Sequence, residues 1–183
     1  MKTKSDTFFT VLACTGILFG VVGISRSLLG KSQPAQPGPS LAAGVSVERG
    51  RHLIRISGCN DCHTPGFMQN PNVPESEWLV GSSMGWRGPW GTTYPSNLRR
   101  HLAAWEDAET WIAMVRSRHG LPPMPWPSLH AMDDEELNSI FAYIRSLPVS
   151  GDIMPAPVAP DHVPETPYLN MEPVMPKGPV ASR

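Results

Sequence analysis

Hydrophobic positions follow a helical period in three segments of this chain. The first covers residues 46–58, where a serine precedes the apolar positions and a glycine ends them. The second covers residues 106–118, with acidic residues at its start. The third covers residues 133–147, where Asp133 and Glu136 have the spacing of a capping box and an apolar stripe follows. The pattern predicts a small helical domain.

The stretches between and around these helices divide the chain into parts. Residues 64–100 are rich in Gly, Pro, Ser and Asn, and they predict a long loop that folds over a cofactor. Residues 31–44 predict a flexible linker. Residues 150–183 are rich in proline and show no periodicity, so they predict an extended tail. The globular part is therefore expected at residues 45–149.

An apolar segment precedes the linker. Residues 8–24 carry no charge and are flanked by Lys2 and Lys4. This length is just sufficient to cross a bilayer, so residues 1–30 predict an uncleaved membrane anchor in contact with lipid. A cleaved signal peptide is the close alternative.

The strongest chemical signal is the run Cys59-Asn60-Asp61-Cys62-His63. Cys-x-x-Cys-His is the spacing at which haem is attached covalently to c-type cytochromes. At 3.6 residues per turn, positions i, i+3 and i+4 share one helix face, so both thiols and the imidazole can reach one porphyrin. A redox dithiol does not need the histidine, and a zinc site needs further ligands that no second Cys/His cluster supplies. Cys59 and Cys62 are therefore predicted to bind haem, and His63 to ligate its iron.

A second iron ligand is expected among the nine methionines, because His/Met ligation is the electron-transfer pattern. Met124 is the leading candidate, since the prolines of Leu121-Pro122-Pro123-Met124-Pro125-Trp126-Pro127 restrict its backbone. Met132 and Met84 are weaker candidates, and other histidines allow bis-His ligation in principle.

Three segments, CNDCHT, PPMPW and MDDEELNSIFAYIRSLP, resemble class I mono-haem c-type cytochromes. The chain is especially similar to bacterial single-haem domains associated with membrane oxidoreductases. The resemblance implies an all-α, cytochrome c-like fold around one covalent haem c. It also implies that Gly50 lies where the first and last helices cross, against Phe141 or Tyr143.

Three further residues are predicted to contact the cofactor. The resemblance suggests that the backbone carbonyl of Pro95 accepts a hydrogen bond from the ring N–H of His63. Arg87 and Trp90 can each donate a hydrogen bond to a haem propionate in a partly buried edge.

These features predict an electron carrier and not an enzyme. The expected function is a membrane-tethered cytochrome that passes single electrons between a quinol-oxidising complex or dehydrogenase and an acceptor. The resemblance places it at the bacterial inner membrane with its haem domain in the periplasm. An alternative is a haem subunit of a larger oxidoreductase complex that its tail holds in place. A haem sensor or peroxidase is a third possibility. A net charge of −1 gives no support for nucleic-acid binding.

Overall fold

Six α-helices, one 3₁₀ turn and three short strands make up the part of the chain that the computed structural model describes, residues 44–175 and Gly178. The helices are α1 (Val47–Ile56), α2 (Cys59–His63), α3 (Leu98–Ala103), α4 (Ala108–Ser117), α5 (Trp126–Ala131) and α6 (Asp134–Ser146). The strands are β1 (Gly85–Gly88), β2 (Gly91–Thr93) and β3 (Tyr168–Asn170), and the 3₁₀ turn is Glu75–Glu77.

The predicted helix caps are present. The Ser46 side chain accepts a hydrogen bond from the backbone N–H of Arg49 at 2.9 Å, so α1 begins where its sequence predicts. Asp133 accepts from the backbone N–H of Glu136 at 2.7 Å, and Glu136 accepts from that of Asp133 at 3.0 Å, which completes the capping box of α6. Helix α4 begins slightly later than expected, after Asp107 as its N-cap.

Helices α1 and α6 cross in direct backbone contact. A side chain at Gly50 would overlap the backbone carbonyl of Ser139 and lie 2.7 Å from Tyr143 Cβ. The close helix contact predicted at Gly50 is therefore confirmed, with Tyr143 rather than Phe141 at the crossing. The Phe141 ring instead packs against Trp111, with ring centroids 5.7 Å apart. The most deeply buried apolar side chains of the described core are Leu79, Leu137, Ile54 and Leu102.

A three-stranded sheet, which the sequence did not predict, lies beside the helices in the order β2-β1-β3. Strands β1 and β2 form an antiparallel hairpin, and β3 pairs parallel to β1, with Trp86 opposite Leu169. Four residues with glycine at both ends, as in β1, leave no room for an alternating pattern. The expectation of an all-α domain omitted this sheet, while the cytochrome c-like fold stays a prediction.

The tail, defined here as residues 150–175, folds back onto its own domain. It supplies β3, and Val158 and Thr92 exchange two backbone hydrogen bonds of 2.8 and 2.9 Å. The Tyr94 hydroxyl also lies 2.7 Å from Thr166 Oγ1. In the described residues, the tail therefore packs against its own chain.

The predicted inner-membrane localisation requires correction. No helix within residues 44–175 has the length and apolar character needed to cross a membrane. The longest helix there, α6, has 13 residues and is about 20 Å long, whereas a bilayer core is about 30 Å thick. Residues 8–24, on which the predicted anchor rested, lie outside the described residues, as do residues 31–43 of the predicted linker and the end of the tail.

Candidate functional site

The Cys-x-x-Cys-His run forms a short helix of its own. Gly58 adopts a left-handed conformation with φ of 68°, which ends α1 and starts α2 directly after it. Cys59, Cys62 and His63 all lie on α2, within five residues. The backbone N–H of Thr64 closes the helix on the carbonyl of Asn60 at 3.1 Å. The sharp turn at Gly58 therefore presents the two thiols and the imidazole together.

The two cysteines are free thiols in an environment that opposes ionisation. Burial raises the pKa of Cys59 to about 12, and burial together with the Asp61 carboxylate raises the pKa of Cys62. Redox-active dithiols require the opposite, a lowered thiol pKa. Within the described residues, no group of three or more His, Cys, Asp or Glu side chains is arranged to hold a metal ion. The surroundings of the thiols therefore favour neither a redox dithiol nor a zinc site.

His63 is fixed by one ring nitrogen and leaves the other without a hydrogen-bond partner among the described residues. Its side chain is 7% exposed, and Nδ1 lies 2.7 Å from the carbonyl oxygen of Ser96. Because a carbonyl only accepts, Nδ1 carries the proton and Nε2 has the free electron pair. Burial lowers the pKa of His63 and outweighs the hydrogen bond to Ser96, so the ring is neutral at neutral pH. A neutral imidazole oriented through Nδ1–H is the usual state of a metal-ligating histidine.

The carbonyl that accepts from the His63 ring belongs to Ser96, one residue after the predicted Pro95. Pro95 O accepts from the backbone N–H of Ser82 at 3.1 Å, and Ser96 O makes the contact with His63. The predicted type of interaction is present, but Ser96 supplies it. Sequence spacing identifies the segment, whereas the direction of each carbonyl depends on the local backbone torsions.

The Arg87 side chain contacts the tail. Its guanidinium donates to the backbone carbonyls of His162 at 2.6 Å and Pro160 at 3.1 Å, and it lies over the Tyr168 ring at 5.8 Å. Arg87 therefore anchors the tail, and the tail carbonyls already engage the donors assigned to a propionate.

Trp90 retains an unused donor. Its indole packs over Gly88 in the turn between β1 and β2, with ring carbons about 2.5 Å from where a Gly88 side chain would begin. Its Nε1 atom is buried and has no hydrogen-bond partner among residues 44–175. A buried N–H without a partner is costly, so this donor suits an acceptor from a bound molecule. The propionate contact of Trp90 stays a prediction.

Asn60, inside the motif, is a second buried group with an unused donor. Its side chain is 1% exposed, its Oδ1 accepts from Thr64 Oγ1 at 2.8 Å, and Thr64 Oγ1 accepts from the backbone N–H of Leu79 at 2.8 Å. Asn60 Nδ2 has no hydrogen-bond partner in the described part of the chain. This short chain of hydrogen bonds ties α2 to the loop that follows it.

The loop around Met124 is held at both ends. The Thr93 hydroxyl donates to the Pro122 carbonyl at 2.7 Å, and the Met124 carbonyl accepts from the backbone N–H of Trp126 at 2.9 Å. The Met124 side chain is half-buried. Its ligation of iron stays a prediction.

Arg116 on α4 fixes the far end of the same region, a role that the sequence did not predict. Its guanidinium donates to His130 O at 2.7 Å, to Met132 O at 2.6 Å and to Asp134 Oδ1 at 2.8 Å. These bonds satisfy the carboxyl-terminal carbonyls of α5. The Pro-rich loop is thereby attached through α5 to α4 and α6.

A cavity of about 330 Å³ opens beside Cys62. Its apolar lining includes Met68, Met84, Trp86 and Leu169. Neither His63 nor Met124 lines it. The weaker candidate Met84 therefore lies near Cys62, directly before β1, the central strand of the sheet.

The residues present fit a covalent haem. Two free thiols and a neutral imidazole with an unpaired Nε2 lie on one helix, and the donor set contains no competing cluster of metal ligands within residues 44–175. Among the described residues, the buried Asn60 Nδ2 and Trp90 Nε1 donors make no hydrogen bond, so both can donate to acceptors on a bound molecule. These are side chains that would hold a haem through Cys59 and Cys62 and meet its iron with His63.

Comparisons with known proteins point to components of dehydrogenases. The chain is 29% identical over 114 residues to the fructose dehydrogenase cytochrome subunit of Gluconobacter japonicus, an alignment that covers 57% of this chain and 22% of that protein. It is 26% identical over 148 residues to a subunit of the nicotinate dehydrogenase of Pseudomonas putida, covering 72% and 12% respectively. The chain thus spans less than a quarter of the length of either relative. No family model and no solved structure matches it.

Proposed function

We propose that this protein is a haem-bearing electron-transfer subunit that serves a dehydrogenase and does not itself oxidise the substrate. The observation that carries the proposal is His63, a buried neutral imidazole held by Nδ1, adjacent to Cys62 on a helix with two free thiols. The similarity to a cytochrome subunit of a dehydrogenase supports the same conclusion.

Each residue of the site has a proposed task. Cys59 and Cys62 would attach one haem c through thioether bonds, and His63 Nε2 and the Met124 sulfur would ligate its iron. When bound, the haem supplies a one-electron couple between ferric and ferrous iron. Ser96 keeps the His63 ring in a single tautomer. The lowered pKa of His63 keeps that ring neutral at neutral pH, with Nε2 unprotonated. Neither His63 nor Met124 would therefore need to lose a proton before it ligates iron.

The domain that holds this site is proposed to be a cytochrome c-like unit at residues 45–149, with the tail as an added strap. The crossing of α1 and α6 at Gly50 supports this assignment. A role within a complex is favoured over a free carrier because both relatives are named as dehydrogenase subunits. Co-purification with a dehydrogenase at fixed stoichiometry supports the complex, and a free pool of the protein supports the carrier.

The attachment of haem is tested by staining a denaturing gel for haem after expression in a host that matures c-type cytochromes. The wild-type protein is expected to keep its stain, and Cys59→Ala and Cys62→Ala each weaken or abolish it because a thioether bond is lost. Cys14→Ala is the matched control and should stain like wild type. A wild-type protein without stain contradicts the proposed function.

The Met124 assignment is tested by Met124→Leu in the haem-loaded protein. Loss of the sulfur ligand should open a coordination position, so the ferrous variant is expected to bind carbon monoxide and to have a lower reduction potential. Met84→Leu is the matched control. If Met124→Leu behaves as wild type while Met84→Leu binds carbon monoxide, the ligand is Met84.

A further inference from the structure

The carbonyl that orients His63 lies between two residues that are themselves fixed. On one side, Pro95 O accepts from Ser82 N at 3.1 Å. On the other side, the Ser96 carbonyl and the Asn97 N and Cα atoms share one rigid peptide plane. The position of Asn97 therefore sets the direction in which the Ser96 carbonyl points at His63.

Asn97 is joined to the tail. It is 5% exposed, and its Nδ2 donates to Ser150 O at 2.7 Å and to Asp152 O at 3.1 Å. Its Oδ1 accepts from Arg100 N at 3.1 Å and caps α3. Both donors of the amide thus go to the tail, while its acceptor serves the helix.

The tail packs so closely against the loop around Asn97 that Gly81 and Gly151 leave no room for a side chain. A side chain at Gly81 would lie 2.6 Å from Met154 Cγ and 2.7 Å from Asn97 N, and one at Gly151 would lie 3.1 Å from Asn97 Nδ2. Arg100 adds a hydrogen bond from Nε to Gly151 O at 2.6 Å. Residues 150–154 are therefore packed directly on the backbone that carries Ser96.

We propose that residues 150–154 form a clamp that positions His63 through Asn97 and the Ser96 peptide. The clamp keeps the Ser96 carbonyl aligned with Nδ1–H, and this hydrogen bond makes the imidazole a stronger electron donor at Nε2. A stronger donor stabilises ferric iron, so the clamp lowers the reduction potential of the site. The inference rests on the proposed function, because the reduction potential can be measured only if the protein binds haem.

The test uses Asn97→Ser in the full-length, haem-loaded protein. Serine caps a helix as well as asparagine does, so α3 keeps its N-cap, and the net charge does not change. The shorter side chain has no amide donors for Ser150 O and Asp152 O, so the clamp is lost. Asn138→Ser is the matched control, because Asn138 Nδ2 donates to the carbonyl of Asp134 at 2.8 Å on the surface of α6.

Two readouts are compared between these variants. Hydrogen exchange of residues 150–158, followed by mass spectrometry, is expected to accelerate about tenfold in Asn97→Ser and to stay unchanged in Asn138→Ser. The reduction potential is expected to rise in Asn97→Ser, by about a threefold change in the ratio of reduced to oxidised protein at a fixed applied potential. Arg100→Ala removes the hydrogen bond to Gly151 O but leaves Asn97 intact, so it should accelerate the exchange of the same residues by a smaller factor.

Each other outcome overturns the clamp. Faster exchange with an unchanged potential shows that the tail does not act on His63, and a changed potential with unchanged exchange shows that Asn97 acts without the tail. Wild-type protein that carries no haem contradicts the proposed function instead. The clamp is then measured in haem-free protein by the solvent exchange of the His63 Nδ1 proton in NMR spectra, which Asn97→Ser should accelerate.

Discussion

The crossed pair α1 and α6 and the loop-and-tail region are stabilised in different ways. In the helix pair, the hydrogen bonds that cap the helices are local, as between Asp133 and Glu136, three residues apart. In the loop-and-tail region, the side-chain hydrogen bonds to backbone carbonyls are remote, as between Arg87 and His162, which are 75 residues apart. Regular secondary structure satisfies its own backbone, whereas irregular backbone needs other donors. The comparison shows that arginine and asparagine side chains supply those donors in the second region.

Arg99 is the clearest case. It is 2% exposed, and its guanidinium donates to the carbonyls of Trp78 at 2.7 Å, Glu75 at 2.8 Å and Pro148 at 3.1 Å. Burial lowers the pKa of Arg99, yet an arginine keeps its charge because its ordinary pKa is so high. One side chain therefore replaces the hydrogen bonds that a strand or helix would provide for two separate segments, the 3₁₀ turn with Trp78 and the end of the α6 region at Pro148.

Gly50→Val is expected to give the largest effect, because it breaks the helix pair itself. The added side chain overlaps Ser139 O and meets Tyr143 Cβ, both on α6 and both in the core. Overpacking against backbone cannot relax by a rotamer change, so we expect a loss of more than about 3 kcal/mol in the free energy of unfolding. Urea denaturation followed by circular dichroism measures it.

Gly66→Ala is the control for that substitution. Gly66 has a φ of 72° and no atom within 4 Å of the added methyl group, so only the backbone conformation is penalised, by about 1–2 kcal/mol. If the Gly50 variant loses no more stability than the Gly66 variant, the two helices are not in contact as described.

Arg99→Met is expected to give the second largest effect, by breaking the loop-and-tail region. Methionine fills a similar volume but leaves the carbonyls of Trp78 and Pro148 without a donor, while the Glu75 carbonyl keeps only the backbone N–H of Trp78 at 3.2 Å. Leaving buried acceptors unsatisfied should cost about 2–3 kcal/mol in the free energy of unfolding. Arg55→Met, an exposed position, should cost less than about 0.5 kcal/mol. Equal effects in the two variants would show that the carbonyls find water instead.

The two regions also differ in how much of them the sequence predicts. The caps at Ser46 and Asp133 and the glycine contact at Gly50 depend on residues three or four apart or on one conspicuous residue, and all were predicted. The haem motif is equally local. Strand β3 pairs with β1 across about eighty residues, and Ser96 rather than Pro95 faces His63, because distant packing decides both. Asn97 is a residue type that favours the N-cap position, so the sequence could have predicted that α3 begins at residue 98 and that the loop with Ser96 ends there.

Tyr143→Phe is expected to give the smallest effect, and it tests the junction between the two regions. Tyr143 on α6 donates to Glu75 Oε1 at 2.6 Å, and Arg51 Nε lies 2.8 Å from Glu75 Oε2. Burial opposes ionisation of Glu75, but the hydrogen bonds from Tyr143 and Arg51 outweigh it and lower the pKa of Glu75. Loss of the hydroxyl should cost about 1 kcal/mol in the free energy of unfolding at neutral pH.

The pH dependence gives this prediction its sign. A carboxylate whose pKa is lowered by folding contributes its full stability above the ordinary value of 4.5, and this contribution is lost as the pH falls through the folded pKa. The difference between wild type and Tyr143→Phe should therefore be constant from pH 7 to about 5 and shrink below 4.5. Tyr94→Phe is the matched control, because Tyr94 pairs with the hydroxyl of Thr166 and not with a carboxylate. Its stability difference should not change over the same range. Parallel curves for the two variants would show that the Glu75 carboxylate does not link the loop to α6.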